Sequence, residues 1–304
     1  MDELFFSVTI SAYNASSFIF DTLDSVRNQT YKNFEVILVD DGSPERMESA
    51  IAKYKEMYPD FPLRYIWQEN EGPGGARRRG VVNAKYEYVA MLDHDDRWTP
   101  DKLQVMHDVI KENDADVYYH DERLIFTDGS SRSVDYRELG DDPLTDLIIN
   151  GNCLSTSAVV VRKTFFMECD PYSDRQRYGE DYECWIRLAK AGARFYHVER
   201  PLAEYVRSAE SLTMVNEDYT RAMNDRIVDF YDYLNSDKFS KDDIQRMKEE
   251  RRVYNEFLLG RFYHNRKDYY KARKYYFNAI KHGQHSFKTF VAYAMSLFHI
   301  RLRG

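Results

Sequence analysis

Cysteine is scarce in this chain, with three residues in a sequence of 304. Cys153, Cys169 and Cys184 are odd in number and lack the spacing of metal ligands, so we expect neither a disulfide framework nor a thiolate metal site. Proteins without disulfides are typical of a reducing compartment, and we therefore expect a cytoplasmic location.

Long apolar segments are also missing. No run of the sequence approaches the roughly 20 apolar residues of a membrane-spanning helix. Residues 1–3 (MDE) include two acids where a secretory signal would be basic, so we expect no signal peptide. Any contact with a membrane is then expected to be peripheral, at the inner face of the membrane.

Excess positive charge is confined to the end of the chain. The formal net charge is -8, but from Lys241 onward there are 15 basic and 6 acidic residues, which leaves the preceding part at -17. An acidic body lacks the basic footprint of a nucleic-acid-binding protein, so we expect no nucleic-acid partner. The basic tail fits an anionic membrane or an acidic partner, and equally a solvated helical surface.

Within the first hundred residues, short β-forming segments alternate with segments that have the apolar spacing of helices. The predicted strands are residues 5–12, 34–39, 63–68 and 88–92. The second of these is almost wholly apolar, as expected of a central parallel strand. This order predicts an α/β fold with a mostly parallel sheet flanked by helices, the layout of a nucleotide-binding half-fold.

Three acids and a histidine follow the strand at residues 88–92: Asp93, His94, Asp95 and Asp96. Ligands bind at this carboxyl edge in open α/β sheets. Because clustered carboxylates repel each other, they require a compensating cation or hydrogen-bond donors. An Asp-x-Asp pair suits a divalent ion that shares its ligands with substrate phosphates. The alternative is a solvated acidic turn in which Asp96 or Asp101 caps the next helix.

Several motifs of this region occur in an order that resembles a known family. They are residues 8–14 (VTISAYN), 29–31 (QTY), 34–43 (FEVILVDDGS), 70–72 (NEG), 76–77 (AR), Gly80 and residues 92–96 (LDHDD). Together they resemble the opening of family 2 glycosyltransferases. An ordered set of motifs is far more specific than any one motif alone. The resemblance implies a GT-A fold and transfer of a sugar, with inversion, from a nucleotide diphosphosugar.

The resemblance also implies a donor site. Its nucleotide-binding residues would be Ser11, Tyr13, Asp41, Arg77, Asp93 and His94. Asp41 would accept a hydrogen bond from the base, for which uracil N3–H is the natural donor. Arg77 would support the base or the phosphates, and Asp93 would face the ribose or the metal.

A divalent cation, Mg or Mn, is implied as the cofactor. Asp95 would bind it, and the ion would neutralise charge on the departing nucleoside diphosphate. Many family members add a metal-binding histidine after a Tyr-Arg pair, but here Ser208 stands at that position. Arg207, which is displaced by one position, is then free to contact the diphosphate directly.

The second functional stretch is residues 177–188 (RYGEDYECWIRL). Acids at the start of a helix can simply complement the helix dipole. The family, however, places its catalytic base at the position of Asp181, where a carboxylate can take the proton of an attacking hydroxyl. Glu180 would orient the acceptor or the phosphate. Trp185 is either a core residue or a platform for a sugar.

From Glu217 onward the sequence predicts helices. Small and aromatic residues fall at the spacings of one tetratricopeptide unit, at positions 259, 260, 263, 272, 276 and 279, with a break between helices at residues 264–268. A single unit cannot bury both of its faces, so we expect it to pack on the rest of the chain or on another chain. The helix near residues 291–298, with Arg301 and Arg303, fits a membrane surface or an intramolecular cap.

Taken together, the sequence predicts a GT-A glycosyltransferase domain at residues 1–215 and a helical region at 216–304. The expected activity is inverting, metal-assisted transfer of a hexosyl group from a UDP-sugar to a hydroxyl of a glycan or lipid-linked acceptor, as in polysaccharide biosynthesis. The alternative is a non-catalytic sugar-nucleotide binder or scaffold that recruits partners through its helical tail. Self-association through that tail also fits the sequence.

Overall fold

The structure is a computed structural model that describes residues 3–126, 128–172, 179–206, 217–235 and 237–301. The chain divides into two compact units, Met1–Ala209 and Glu210–Gly304. The strands of the described residues all lie in the first unit, and the second unit is helical.

The first unit is built on a nine-stranded mixed sheet in the order β3-β2-β1-β4-β8-β6-β9-β5, with β7 paired to β6. The strands are β1 Phe6–Ala12, β2 Phe34–Asp41, β3 Leu63–Gln68, β4 Tyr88–Asp93, β5 Arg97–Trp98, β6 Val117–Ile125, β7 Ser131–Val134, β8 Val159–Arg162 and β9 Phe195–Val206. The first four predicted strands are confirmed, and they pair in parallel. Beyond β4 the sheet becomes mixed, because β8 runs antiparallel to both β4 and β6.

Helices cover this sheet and continue into the second unit. Those of the first unit are α1 Ile19–Arg27, α2 Glu48–Met57, α3 Gly72–Asn83, α4 Lys102–Glu112, α5 Pro143–Asn150, α6 Lys163–Cys169 and α7 Glu180–Lys190. Those described in the second unit are α8 Glu217–Phe230, α9 Lys241–Asn265, α10 Tyr269–Lys281 and α11 Phe287–Leu297. No helix of the described residues is long and apolar enough to cross a membrane.

Strand β1 is an inner strand of the parallel part, and all seven of its residues are buried. It is flanked by β2 and β4, so that Ser11 is paired with Asp93, and Ala12 with Asp40. The carboxyl ends of these strands therefore meet at one edge of the sheet. This edge is the crevice in which open α/β sheets bind ligands.

Helix α3 packs closely on β1 through a glycine. A Cβ atom at Gly80 would lie 2.9 Å from Cβ of Thr9, which is closer than two packed carbons approach. The missing side chain lets the helix approach the strand. It thereby holds Arg77, one turn earlier, over the carboxyl end of the sheet.

The second unit has its own small core. The break predicted at residues 264–268 lies between α9 and α10, where α9 ends at Asn265 and Asp268 caps α10 through the backbone amide of Lys271. Gly260 allows the ring of Tyr276 to approach α9, since a Cβ there would be 2.5 Å from that ring. The match to a tetratricopeptide unit itself stays a prediction.

Candidate active site

The carboxyl ends of β1 and β4 are joined by side-chain hydrogen bonds. Ser11 Oγ donates to Asp93 Oδ1 at 3.1 Å, and the ring nitrogen Nδ1 of His94 lies 3.0 Å from the carbonyl oxygen of Ser11. Tyr13, just beyond β1, is 47% exposed and lies at the open end of this edge. Ser11 is therefore in direct contact with Asp93 and His94, two other residues predicted to bind the nucleotide.

The two acids at the end of β2 have different surroundings. Asp40 is fully buried and accepts hydrogen bonds from Ser43 Oγ and Tyr65 Oη, among others, so it holds the loop together. Asp41 uses Oδ1 to accept from Gln68 Nε2 at 2.7 Å and from the amide of Glu71 at 2.9 Å. Asp41 is 3% exposed, and its Oδ2 accepts no hydrogen bond from another described residue.

Arg77 joins the donor edge to the first turn of α7. Its guanidinium donates to both carboxylate oxygens of Asp93, at 2.9 and 3.0 Å, and to Glu180 Oε1 at 2.6 Å. Burial alone would lower the pKa of Arg77, but Asp93 and Glu180 outweigh it and raise this pKa well above its ordinary value. The side chain is therefore a permanent cation between two carboxylates.

Asp181 follows Glu180 in the first turn of α7, after Gly179 in the left-handed region. Its Oδ1 accepts from the amide of Tyr182 at 2.7 Å. Burial, together with the charge of Glu180, raises the pKa of Asp181 to about 6, although Arg77 opposes the rise. A carboxylate with this pKa is ionised at neutral pH and is a better proton acceptor than an ordinary aspartate.

Trp185 lies one turn further along α7, and its side chain is fully buried. A ring without exposed surface has no face to offer a sugar. This burial favours the interpretation of Trp185 as a core residue over a contact for the acceptor.

Asp95 is the residue on which the predicted metal site depends. Burial raises the pKa of its carboxyl group, and Asp93 adds to the rise, while His94 opposes it. Among the described residues, no other side chain donates a hydrogen bond to this carboxylate. A half-buried and unpaired carboxylate is suited to a cation.

The described residues contain no group of three or more His, Cys, Asp or Glu side chains that could hold a metal ion alone. The fit to a metal therefore depends on the half-buried carboxylate of Asp95, which could share a Mg or Mn ion with substrate phosphates, as is common for Mg. Arg207 and Ser208, the other residues considered for this side of the site, lie outside the described residues.

The alternative interpretation of these acids as a solvated turn is wrong for Asp96, because this residue is buried. It is 2% exposed, and its carboxylate accepts from Ser157 Oγ at 2.5 Å and from the amide of Val206 at 3.1 Å. Ser157 Oγ in turn accepts from the amide of Asp93 at 3.1 Å. This relay ties the end of β4 to the start of β8 and the end of β9.

Sequence patterns missed a buried cation beside this relay. Lys102, the first residue of α4, is fully buried, and its Nζ donates to the carbonyl oxygen of Ser157 at 2.7 Å. It also lies 3.7 Å from the centre of the Trp98 ring. Burial lowers the pKa of Lys102 well below its ordinary value, whereas Glu122 and Asp96 oppose this effect. The only signal in the sequence was a lysine next to an apolar residue at the start of a helix. Lysines in this position are also common on solvent-exposed helices.

Similarity to solved structures extends over nearly the whole chain at low sequence identity. TarS from S. aureus, in a crystal structure with UDP-GlcNAc, matches with a TM-score of 0.62 at 17% identity, covering 99% of this chain and 93% of that chain. The mannosyltransferase PcManGT from Pyrobaculum calidifontis, in complex with GDP-Man and Mn2+, matches with a TM-score of 0.57 at 16% identity, covering 96% and 79%. This likeness confirms the predicted GT-A fold.

Similarity in sequence is higher for one relative of named function. The amylovoran biosynthesis glycosyltransferase AmsB from Erwinia amylovora is 34% identical over 213 residues, which are 67% of this chain and 70% of that protein. Other relatives are longer, and the match spans 65% of one and 46% of another.

The sequence profile of Glycosyl transferase family 2 matches residues 7–170, which is more than half of the chain. The matched region contains β1, β2, β4 and α3, and with them Ser11, Asp41, Arg77, Asp93 and Asp95. The chain belongs to glycosyltransferase family 2.

Proposed function

We propose that this chain is an inverting, metal-assisted glycosyltransferase that transfers a hexosyl group from a UDP-sugar to a hydroxyl of a glycan or lipid-linked acceptor. The observation that carries the proposal is the position of Asp181. This carboxylate, with a pKa of about 6, follows directly after Glu180, which Arg77 joins to Asp93 at the carboxyl edge of the sheet. A proton acceptor is thus held next to the residues assigned to the donor.

In this proposal the nucleotide lies along the ends of β1, β2 and β4. Asp41 accepts from the base through the carboxylate oxygen that Gln68 and Glu71 leave open. Asp93, whose carboxylate is held by the guanidinium of Arg77, accepts from a ribose hydroxyl. Ser11, Tyr13 and His94 line the same edge.

The reaction is a single displacement at the anomeric carbon. Asp181 takes the proton of the acceptor hydroxyl as its oxygen forms the new bond to that carbon. The bond from the anomeric carbon to the diphosphate oxygen breaks on the opposite face, and the electron pair leaves with UDP. The configuration is therefore inverted, and Asp181 carries one proton at the end.

Asp95 would hold a Mg or Mn ion together with the diphosphate oxygens. Such an ion supplies charge neutralisation for the leaving group and fixes its orientation. The unpaired carboxylate of Asp95 and the Mn2+ in the complex of PcManGT support this assignment. Arg77 offsets the negative charge of Asp93 and Glu180, to which it donates hydrogen bonds.

The comparisons support the choice of donor and product class. AmsB is named for amylovoran biosynthesis, and TarS was crystallised with UDP-GlcNAc. We therefore place this chain in polysaccharide biosynthesis, with residues 1–215 as the transferase domain, and keep the cytoplasm as its proposed location. The tetratricopeptide-like region at residues 216–304 is not required for the chemistry in this proposal.

Calorimetric titration of UDP in the presence of Mn, and again with a chelator, tests the donor site. We expect binding that is lost with the chelator and in Asp95→Ala. Binding that is unaffected by both would contradict the role of Asp95. If UDP, GDP and other nucleotides all fail to bind, the donor assignment is wrong.

Activity separates the enzyme from the non-catalytic alternative. UDP release from a panel of UDP-sugars should be measured for the wild type and for Asp181→Asn. A catalyst loses turnover in the variant and keeps UDP affinity. A wild type that binds UDP and turns over no donor would favour a sugar-nucleotide-binding scaffold.

A further inference from the structure

The last described helix, α11, presents its apolar side chains outward. Phe287 and Phe298 are 82% and 75% exposed, and Phe290, Val291, Leu297 and Ile300 are exposed as well. The residues that it buries are small, namely Thr289, Ala292 and Ser296. This is the reverse of the usual arrangement in a helix that packs on a protein core.

The exposed residues form one continuous surface. At 100° per residue, positions 287, 290, 291, 294, 297 and 298 fall on one side of α11, and the buried positions 289, 292 and 296 fall on the other. Phe277 on α10 is also exposed, and its ring centre lies 6.4 Å from that of Tyr293. We call the set Phe287, Phe290, Val291, Leu297 and Phe298 the aromatic face.

Positive charge is concentrated in the segment of the chain that ends with the aromatic face. Between residues 261 and 301 there are nine basic residues and one acidic residue, Asp268. Lys281, Lys288 and Arg301 are exposed beside α11, and no ion pair to another described residue neutralises them. A partner for this surface must accept apolar side chains and carry negative charge.

We propose that the aromatic face of α11 docks peripherally on an anionic lipid bilayer. Its phenylalanine and leucine side chains enter the boundary between headgroups and acyl chains, while the basic residues contact the anionic headgroups. Charge complementarity selects this occupant over a second copy that docks through the same face, because such a dimer would bring two strongly basic surfaces together. The docking does not depend on the proposed transferase reaction.

Co-sedimentation of the full chain with vesicles tests the proposal. We expect binding to phosphatidylcholine vesicles that contain 30% phosphatidylglycerol, and at least tenfold weaker binding to phosphatidylcholine alone. Raising the salt concentration from 0.05 to 0.5 M should also weaken binding at least tenfold, because the headgroup contacts are screened. Equal binding to the two kinds of vesicle would overturn the proposal.

Two sets of variants separate the apolar from the charged contribution. Phe287→Ser with Phe298→Ser should lower binding to the anionic vesicles at least tenfold, and Lys288→Gln with Arg301→Gln should lower it severalfold. Met57→Ser with Val82→Ser, which removes two exposed apolar side chains from the first unit, is the matched control and should bind as the wild type does. Unchanged binding of the phenylalanine variant would refute a role for the aromatic face.

A third variant keeps an apolar side chain at an exposed position, so it should not destabilise the fold. Phe298→Trp places a fluorophore on the aromatic face, and anionic vesicles that contain brominated lipid should quench its emission relative to the wild type. Analytical ultracentrifugation without lipid tests the competing occupant. Concentration-dependent dimers that the phenylalanine variant abolishes, together with no vesicle binding, would mean that a second copy covers the face.

Discussion

Arg77 and Glu180 form an ion pair at 2.6 Å, although 103 residues separate them in the chain. The same guanidinium contacts Asp93, so helix α3 connects the end of β4 to the beginning of α7. The side chains of Arg77 and Glu180 are 9% and 12% exposed. Their contact links the proposed donor site to the proposed base, because the charges of Arg77 and Glu180 both act on Asp181.

Arg77→Ala should destabilise the first unit strongly. The change leaves Asp93 and Glu180 without their shared cation, and breaking a buried pair in this way costs about 3–5 kcal/mol. Arg78→Ala is the matched control, because Arg78 pairs with Asp170 on the surface and such a pair is worth about 0–1 kcal/mol. Urea unfolding followed by circular dichroism measures both. Equal losses in the two variants would contradict the bridging role of Arg77.

Transfer should depend on pH through Asp181. Only the ionised carboxylate accepts a proton, so kcat/KM should fall about tenfold per pH unit below the pKa of about 6. In Asp181→Asn, we expect kcat to be lower by a factor of about 10²–10⁴, and kcat/KM should no longer fall as the pH drops below about 6. A profile of the wild type that stays flat down to pH 5 would exclude Asp181 as the base.

The same substitution should stabilise the folded chain at neutral pH. The pKa of Asp181 is higher in the folded than in the unfolded state, so its favourable contribution is present at low pH and is lost as the pH rises through about 6. Asp181→Asn should therefore raise the unfolding free energy at pH 7.5 by about 1–3 kcal/mol, since one pKa unit corresponds to about 1.4 kcal/mol.

This gain should shrink as the pH approaches 4, where the wild-type carboxyl is protonated as well. The exposed control Asp60→Asn should change the stability by about 0.5 kcal/mol or less at either pH. Thermal melts of the three proteins at pH 4 and 7.5 give the comparison. An Asp181→Asn variant that is less stable at pH 7.5 would contradict the environment described for this residue.

Ser157→Ala should loosen the loop that carries Asp95. The change removes the donor to Asp96 and the acceptor of the Asp93 amide, and a buried polar group without its partner costs about 1–3 kcal/mol. We expect a higher KM for the sugar nucleotide and a larger effect than in Ser130→Ala, whose hydroxyl bonds to Asp128 at the surface. If both variants behave like the wild type, the relay does not position the loop.

The parallel half of the sheet could be predicted from local patterns. Strand β3 was expected at residues 63–68 and lies at Leu63–Gln68, and the four predicted strands appear in order. Buried parallel strands carry an apolar run that distinguishes them from loops. The polar segment at β7 gave no such signal, because all its residues but one are exposed and it is held mainly by pairing with β6.

The alternation of strands and helices, the family and the acids at the carboxyl edge could be predicted from local patterns, because strand periodicity and ordered motifs are local properties. Which charges meet depends on tertiary packing. The contact of Arg77 with Glu180, the burial of Asp96 and Lys102, and the enclosure of Trp185 all depend on packing between elements that are distant in sequence. The cost of burying a charge is set by its neighbours in space, which a linear pattern does not specify.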